Sequence, residues 1–246
     1  MTQVIQVINP NTSREMTAAI GRTAREVAGG GVTVRAVTSA MGPASIESHY
    51  DEALAVPGVL AAVRSGEADG VDGHVIACFG DPGLAAAREI AAGPVVGIAE
   101  AAMHMATYLG RSFSVVTTLS RTVGHTWDLV RGYGFAAACA GVHACDIPVL
   151  DLDSATARAS IGKACVASRD GDGCDVIVLG CAGMTDLAAT ISAELGIPVV
   201  DGVAAAVKTV EALVALGLRT SKRHEYATPP AKPVTGLLRG FTLRRE

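Results

Sequence analysis

Two cysteines in this chain stand in near-copies of one stretch. The first reads Asp72-Gly73-His74-Val75-Ile76-Ala77-Cys78-Phe79-Gly80-Asp81-Pro82-Gly83-Leu84. The second reads Asp175-Val176-Ile177-Val178-Leu179-Gly180-Cys181-Ala182-Gly183-Met184-Thr185-Asp186-Leu187. In each, an Asp and an apolar run lead to the Cys, and Cys-x-Gly-x-x-x-Leu follows. A thiol can give a proton and its thiolate can take one. An equivalent pair suits a nearly symmetric reaction, in which a proton leaves one face of a carbon and another arrives on the opposite face. One cysteine is then thiolate and the other thiol, and the roles exchange with the handedness of the substrate. The intermediate is an enolate whose oxygen needs donors. The amides of Phe79, Gly80, Ala182 and Gly183 follow the thiols and can supply them. Gly80 and Gly183 also permit close backbone approach.

The elements that must position these thiols are readable too. An apolar run that ends near Gly and then turns to helical spacing reads as a buried parallel strand feeding a helix. Each Cys is therefore expected at the carboxyl end of a strand, where open α/β sheets bind ligands. A helix N-terminus directly after it should lower the thiol pKa below about 8.5. The copies extend outward. Gly93-Pro94-Val95-Val96 answers to Ile197-Pro198-Val199-Val200, and Val7-Ile8-Asn9-Pro10-Asn11-Thr12-Ser13 answers to Val115-Val116-Thr117-Thr118-Leu119-Ser120. One register across three motifs reads as an internal duplication.

In order, the pattern predicts strands at Val4–Ile8, Val32–Val37, the Cys78 run and Val95–Ile98, with helices at Ser13–Ala28, up to Arg64 and at Ala99–Leu109. Pro82 fits the first turn of the helix after Cys78. The second half predicts strands at Phe113–Thr117, Ala138–His143, the Cys181 run and Val199–Val200. Its helices fall at Thr122–Tyr133, Ser154–Ser168, after Cys181 and at Gly202–Leu216, with a turn at Gly171–Gly173. Gly42-Pro43-Ala44-Ser45-Ile46-Glu47 is a polar loop suited to walling a pocket. From Arg219 the periodicity fails. Alternating strands and helices imply parallel sheets with right-handed crossovers, an α/β fold.

The chain has 246 residues, 50% of them hydrophobic and 4% aromatic, so its core must be built from Ala, Val, Ile and Leu. Net charge is −4. No Lys/Arg cluster precedes the tail, which argues against a nucleic-acid partner and for a small molecule. No apolar run reaches the roughly 20 residues of a membrane span. The first residues lack a basic region and an A-x-A site, so a cytoplasmic protein is expected. The cysteines are then free thiols. They show no zinc spacing, and the six histidines do not pair at i, i+4, so no metal is expected. Cys139, Cys145, Cys165 and Cys174 read as core fillers, and His74 as a structural histidine.

The ordered motifs Ile8–Ser13, Ala77–Gly83, Gly97–Ala102, Thr117-Thr118 and Gly180–Met184 resemble the hydantoin racemase branch, with its allantoin racemases, of the aspartate/glutamate racemase superfamily. The resemblance covers nearly the whole chain except the tail. It implies two similar α/β lobes, each with a mainly parallel sheet flanked by helices, related by a pseudo-two-fold with the active site between them. It implies residues 1–97 plus 207–246 in the first lobe and 98–206 in the second. It implies cofactor-independent racemisation by Cys78 and Cys181, and a homo-oligomer. Asn9, Pro10, Asn11, Ser45, Ile46, Thr117 and Thr118 match positions lining that family's pocket. Amino-acid racemases of the superfamily follow their cysteines with Asn-Thr or Thr-His. Here Phe79-Gly80 and Ala182-Gly183 stand instead, which suits a neutral ring bearing amides, a hydantoin or allantoin. The related decarboxylases keep one cysteine, so two argue against that chemistry. A cytoplasmic small-molecule-binding regulator remains the alternative of another class, although it has no need of thiols at both strand ends.

Overall fold

The computed structural model describes residues 2–243. The first half runs β1 (Gln3–Asn9), α1 (Arg14–Val27), β2 (Val32–Thr38), α2 (His49–Ala68), β3 (Gly73–Ile76), α3 (Leu84–Ile90), β4 (Val95–Gly97) and α4 (Ile98–Leu109). The second runs β5 (Phe113–Thr117), α5 (Val123–Gly132), β6 (Cys139–Ala144), α6 (Ala155–Asp172), β7 (Val176–Gly180), α7 (Ala188–Leu195), β8 (Val199–Asp201) and α8 (Gly202–Ala215). The sheets are ordered β2-β1-β3-β4 and β6-β5-β7-β8. All pairings are parallel. Adding four to each label of the first sheet gives the second, so the duplicated motifs are duplicated architecture. Among the described residues no helix is long and apolar enough to cross a membrane.

Local chemistry fixes the helix starts near the cleft. Ser13 caps α1 by accepting the Met16 amide, and Asp201 caps α8 by accepting that of Ala204. At α2, Ser48 Oγ accepts the Asp51 amide while Asp51 Oδ2 accepts from the Ser48 hydroxyl and the Glu47 amide. This reciprocal cap sets the first turn of α2 at residues 49–52.

Several boundaries differ from expectation. β3 stops at Ile76 and β7 at Gly180, short of their cysteines. Neither cysteine is followed directly by an α-helix. After Cys78 the chain turns, with Asp81 at φ 46° and the α3 cap Gly83 at φ 71°, and Pro82 lies ahead of the helix. Asp81 is held out of a helix because its carboxylate caps another one. Its oxygens accept the amides of Ala99 (3.1 Å) and Glu100 (2.9 Å) at the start of α4. After Cys181 there is a single 3₁₀ turn, Ala182–Met184, and α7 begins at Ala188. α6 continues through the expected turn to Asp172. That carboxylate takes bonds from the Ser114 hydroxyl and lies 2.6 Å from His143 Nε2, and left-handed Gly173 ends the helix.

One apolar cluster joins the two sheets. It includes Val75 and Val96 of the first, Val115 and Val178 of the second, and Met103, Val203 and Val207 from α4 and α8. The last helix, α8, packs back on β1, β3, β4, α1 and α4. The segment beyond it lies along the first half. Thr220 Oγ1 donates to Gly93 O, Lys222 Nζ to the carbonyls of Arg88 and Glu89, and Arg64 to Gly240 O.

Candidate active site

The carboxyl ends of the two sheets open on one cavity of about 180 Å³. Cys78, just beyond β3, and Cys181, directly after β7, both line it. Around them stand Asn11, Ile46, Phe79, Gly80, Thr117, Thr118 and Ala182. Asn9, Pro10, Ser45 and Gly183 do not line it. Asn9 is buried, and its Nδ2 donates to Asn11 Oδ1, Ser13 O and Thr17 Oγ1 at 2.8–3.0 Å. Asn9 thus shapes the turn that presents Asn11. The Gly183 amide donates to Cys181 Sγ at 3.3 Å, so it acts on the thiol. Thr117 Oγ1 lies 3.0 Å from Thr122 Oγ1. His74 is fully buried in β3, with Nε2 2.8 Å from Glu67 Oε1.

The cavity also has polar walls that motif reading passed over. The start of α2 and the two residues before it bring Glu47, Ser48, His49 and Glu52; the segment leading into α5 and the helix itself bring Arg121, Thr122, His125 and Thr126. Glu47 Oε1 accepts the amide of Val149 at 2.8 Å, fastening the loop before α2 to the second half. His125 Nε2 lies 3.3 Å from Glu52 Oε1, and the Glu52 carboxylate holds the imidazole pKa above its ordinary value. Gly80 fits beneath that pair. A Cβ on it would meet Glu52 Oε1 at 2.8 Å and His125 Nε2 at 3.4 Å.

The thiol electrostatics run opposite to expectation. Burial pushes Cys181 up to about 11, against a partial stabilisation of the thiolate by the Gly183 amide. Burial pushes Cys78 higher still, with the Gly80 amide opposing it and Cys181 and Glu52 adding repulsion. The expected helix N-termini are absent at both positions, so desolvation wins over the one amide that faces each sulfur.

The sequence model of the family described as Asp/Glu/Hydantoin racemase matches residues 5–210. The chain belongs to this family. A hydantoin racemase from Rhizobium meliloti is 48% identical over 94% of this chain and 97% of its own length. The solved structure of an allantoin racemase from Klebsiella pneumoniae superposes with a TM-score of 0.96 at 52% identity, covering 98% of this chain and 99% of that one. That of an allantoin racemase from Pseudomonas fluorescens superposes with a TM-score of 0.92 at 39% identity, covering 95% and 100%. These two solved structures share the two-sheet arrangement described above.

Proposed function

We infer that the protein racemises 5-substituted hydantoins without a cofactor, and that Cys78 and Cys181 exchange the proton at C5. The observation that carries this reading is the pair of thiols on equivalent strand ends of a duplicated fold, both facing one cavity. One thiolate takes the C5 proton and becomes a thiol, and the electron pair of the C–H bond passes into an enolate at the adjacent ring carbonyl. The amides of Phe79 and Ala182 are at hand for its oxygen, while those of Gly80 and Gly183 face the two sulfurs. The second thiol then protonates C5 from the opposite face and is left as thiolate. Reaction in the other direction begins from that state, so no external acid is consumed.

Asn11, Ile46, Thr117 and Thr118 hold the ring on this reading, and Asn9, Pro10, Ser45 and Gly183 support them from behind the wall. The first lobe comprises 1–97 plus 207–246, the second 98–206; the packing of α8 on the first sheet supports that division. The enzyme works in the cytoplasm as a homo-oligomer, whose contacts would cover the exposed Tyr108, Leu109, Leu216 and Leu218. A second substrate, allantoin, is favoured by the polar wall of Glu52, His125 and Arg121, which suits a ureido arm on C5 better than an alkyl one.

The test uses optically pure 5-alkyl-hydantoin and allantoin in deuterated water, followed by loss of rotation and deuterium at C5. Cys78→Ser and Cys181→Ser should each lower racemisation by about 10² or more. Each should retain C5 exchange of one enantiomer only, and the two variants should prefer opposite enantiomers. Normal racemisation by both variants, or exchange of the same enantiomer by both, would overturn the two-base reading.

A further inference from the structure

Three side chains on the cavity wall are arranged as ligands. His49 and Glu52 sit one turn apart at the start of α2, and His125 reaches them from α5. His125 Nε2 is 3.3 Å from Glu52 Oε1, and His49 Nδ1 is 3.9 Å from Glu52 Oε2. One ligand atom from each of the three lies within 4.8 Å of the others. Zinc bonds of about 2.0–2.1 Å to nitrogen and oxygen in a tetrahedron place neighbouring ligand atoms about 3.3 Å apart. The His125–Glu52 separation already has that value, and the exposed His49 needs only a small side-chain adjustment to join.

A second observation points the same way. His125 Nε2 is buried and has no aligned hydrogen-bond partner, although the carboxylate is close. The Glu52 carboxylate already favours a positive charge on that imidazole, and a divalent cation seated between the two groups would take the place of the proton. The two imidazoles stand edge to face, with ring centroids 5.2 Å apart at 90°. They therefore do not stack in a way that would keep their nitrogens from a common point.

We propose that His49, Glu52 and His125 form a binding site for a zinc-class divalent cation at the wall of the cavity. The ion completes its shell with water and joins α2 of the first half to α5 of the second. It is not required by the proton transfer proposed above, and it sits beside Gly80, two residues along the chain from Cys78. Two imidazoles with one carboxylate and an open position is a donor set that zinc accepts. Loading the site would brace the cleft by tying α2 to α5.

The experiment uses the full chain without substrate, so its result is independent of the proposed reaction. Zinc alone is titrated by equilibrium dialysis under reducing conditions, with metal analysis and thermal unfolding as readouts. One ion per chain and a rise in Tm are expected. His49→Ala, whose side chain is 77% exposed and whose loss leaves the core untouched, should weaken binding by at least about tenfold, as should His125→Ala. Cys78→Ser should still bind. Absence of stoichiometric zinc overturns the proposal. So does zinc held equally well by His49→Ala and lost from Cys78→Ser, which would assign the ion to the thiols instead.

Discussion

Asp81 offers a pH-dependent test of the site's scaffold. The residue is 5% exposed. Its Oδ1 accepts the Ala99 amide and its Oδ2 accepts from the Glu100 amide and the Tyr133 hydroxyl, the last at 2.7 Å. Burial outweighs those bonds and pushes its pKa from 3.8 up to about 6. The folded state therefore binds a proton that the unfolded chain has released between about pH 4 and pH 6. Stability falls as pH rises through that window. At about 1.4 kcal/mol for each tenfold change in proton affinity, the loss is about 3 kcal/mol. Asp81→Asn removes the titration, and Asn tolerates the residue's positive φ. It also turns one acceptor oxygen into a donor and leaves the Ala99 amide without its partner, at about 1–3 kcal/mol. The variant should be the less stable protein at pH 4, and the gap should close by about 3 kcal/mol by pH 7. Urea unfolding of both proteins across that range measures the difference, in which groups common to both cancel. A gap that stays constant with pH would refute the buried-carboxyl account. A gap that widens would mean that the three hydrogen bonds, and not burial, govern the group.

Two further outcomes follow from the cavity. Because burial raises both thiols, with Cys181 at about 11, kcat/KM for racemisation should climb about tenfold per pH unit between about pH 6 and pH 8. A plateau by pH 7 would show that a thiolate is already formed in the free enzyme. Gly80→Ala places a Cβ 2.8 Å from Glu52 Oε1, so it should lower kcat/KM by about tenfold or more while Tm shifts little. Wild-type kinetics would mean that the Glu52–His125 pair moves aside without consequence.

The duplication, the parallel α/β alternation it repeats and the two thiols were legible because each left a repeated local pattern. Apolar runs of strand length and Cys-x-Gly recur in both halves, and the structure puts both cysteines in one cavity. The polar wall was not legible from pattern alone. Glu52, His49 and His125 are charged or polar positions on helices, and such residues read as solvent-facing until the partner helix is in place. One local cue was available. Ser48-x-x-Asp51 marks where α2 begins, and hence that His49 and Glu52 share its first turn with Glu47 just ahead of the cap. A strand followed by helical spacing implies an immediate helix and a lowered thiol pKa; the chain instead makes a turn after each cysteine, and burial raises both thiols. Asp81 spends its carboxylate on α4, 18 residues away in sequence, and no window around Cys78 contains that partner. The end of α6 was hidden for the same reason, since Asp172 is anchored by Ser114 on a distant strand.

The return of α8 to the first sheet has a consequence for how the chain is made. Val203, Val207 and Val210 are fully buried, and a Cβ on Gly73 in β3 would come within 2.6 Å of Val210 Cγ1. The apolar face that α8 covers is assembled mainly from residues 3–109, but its cover is encoded at 202–215. Synthesis proceeds from the N-terminus at about 5–20 residues per second, so that face waits on the order of ten seconds for its helix. During that interval the nascent first half presents an uncapped patch of valines and alanines, the kind of surface that chaperones hold and that aggregates otherwise. The two halves share an architecture without sharing autonomy. A fragment ending before Gly202 would be an exposed sheet seeking a partner, and not a smaller working copy of the enzyme.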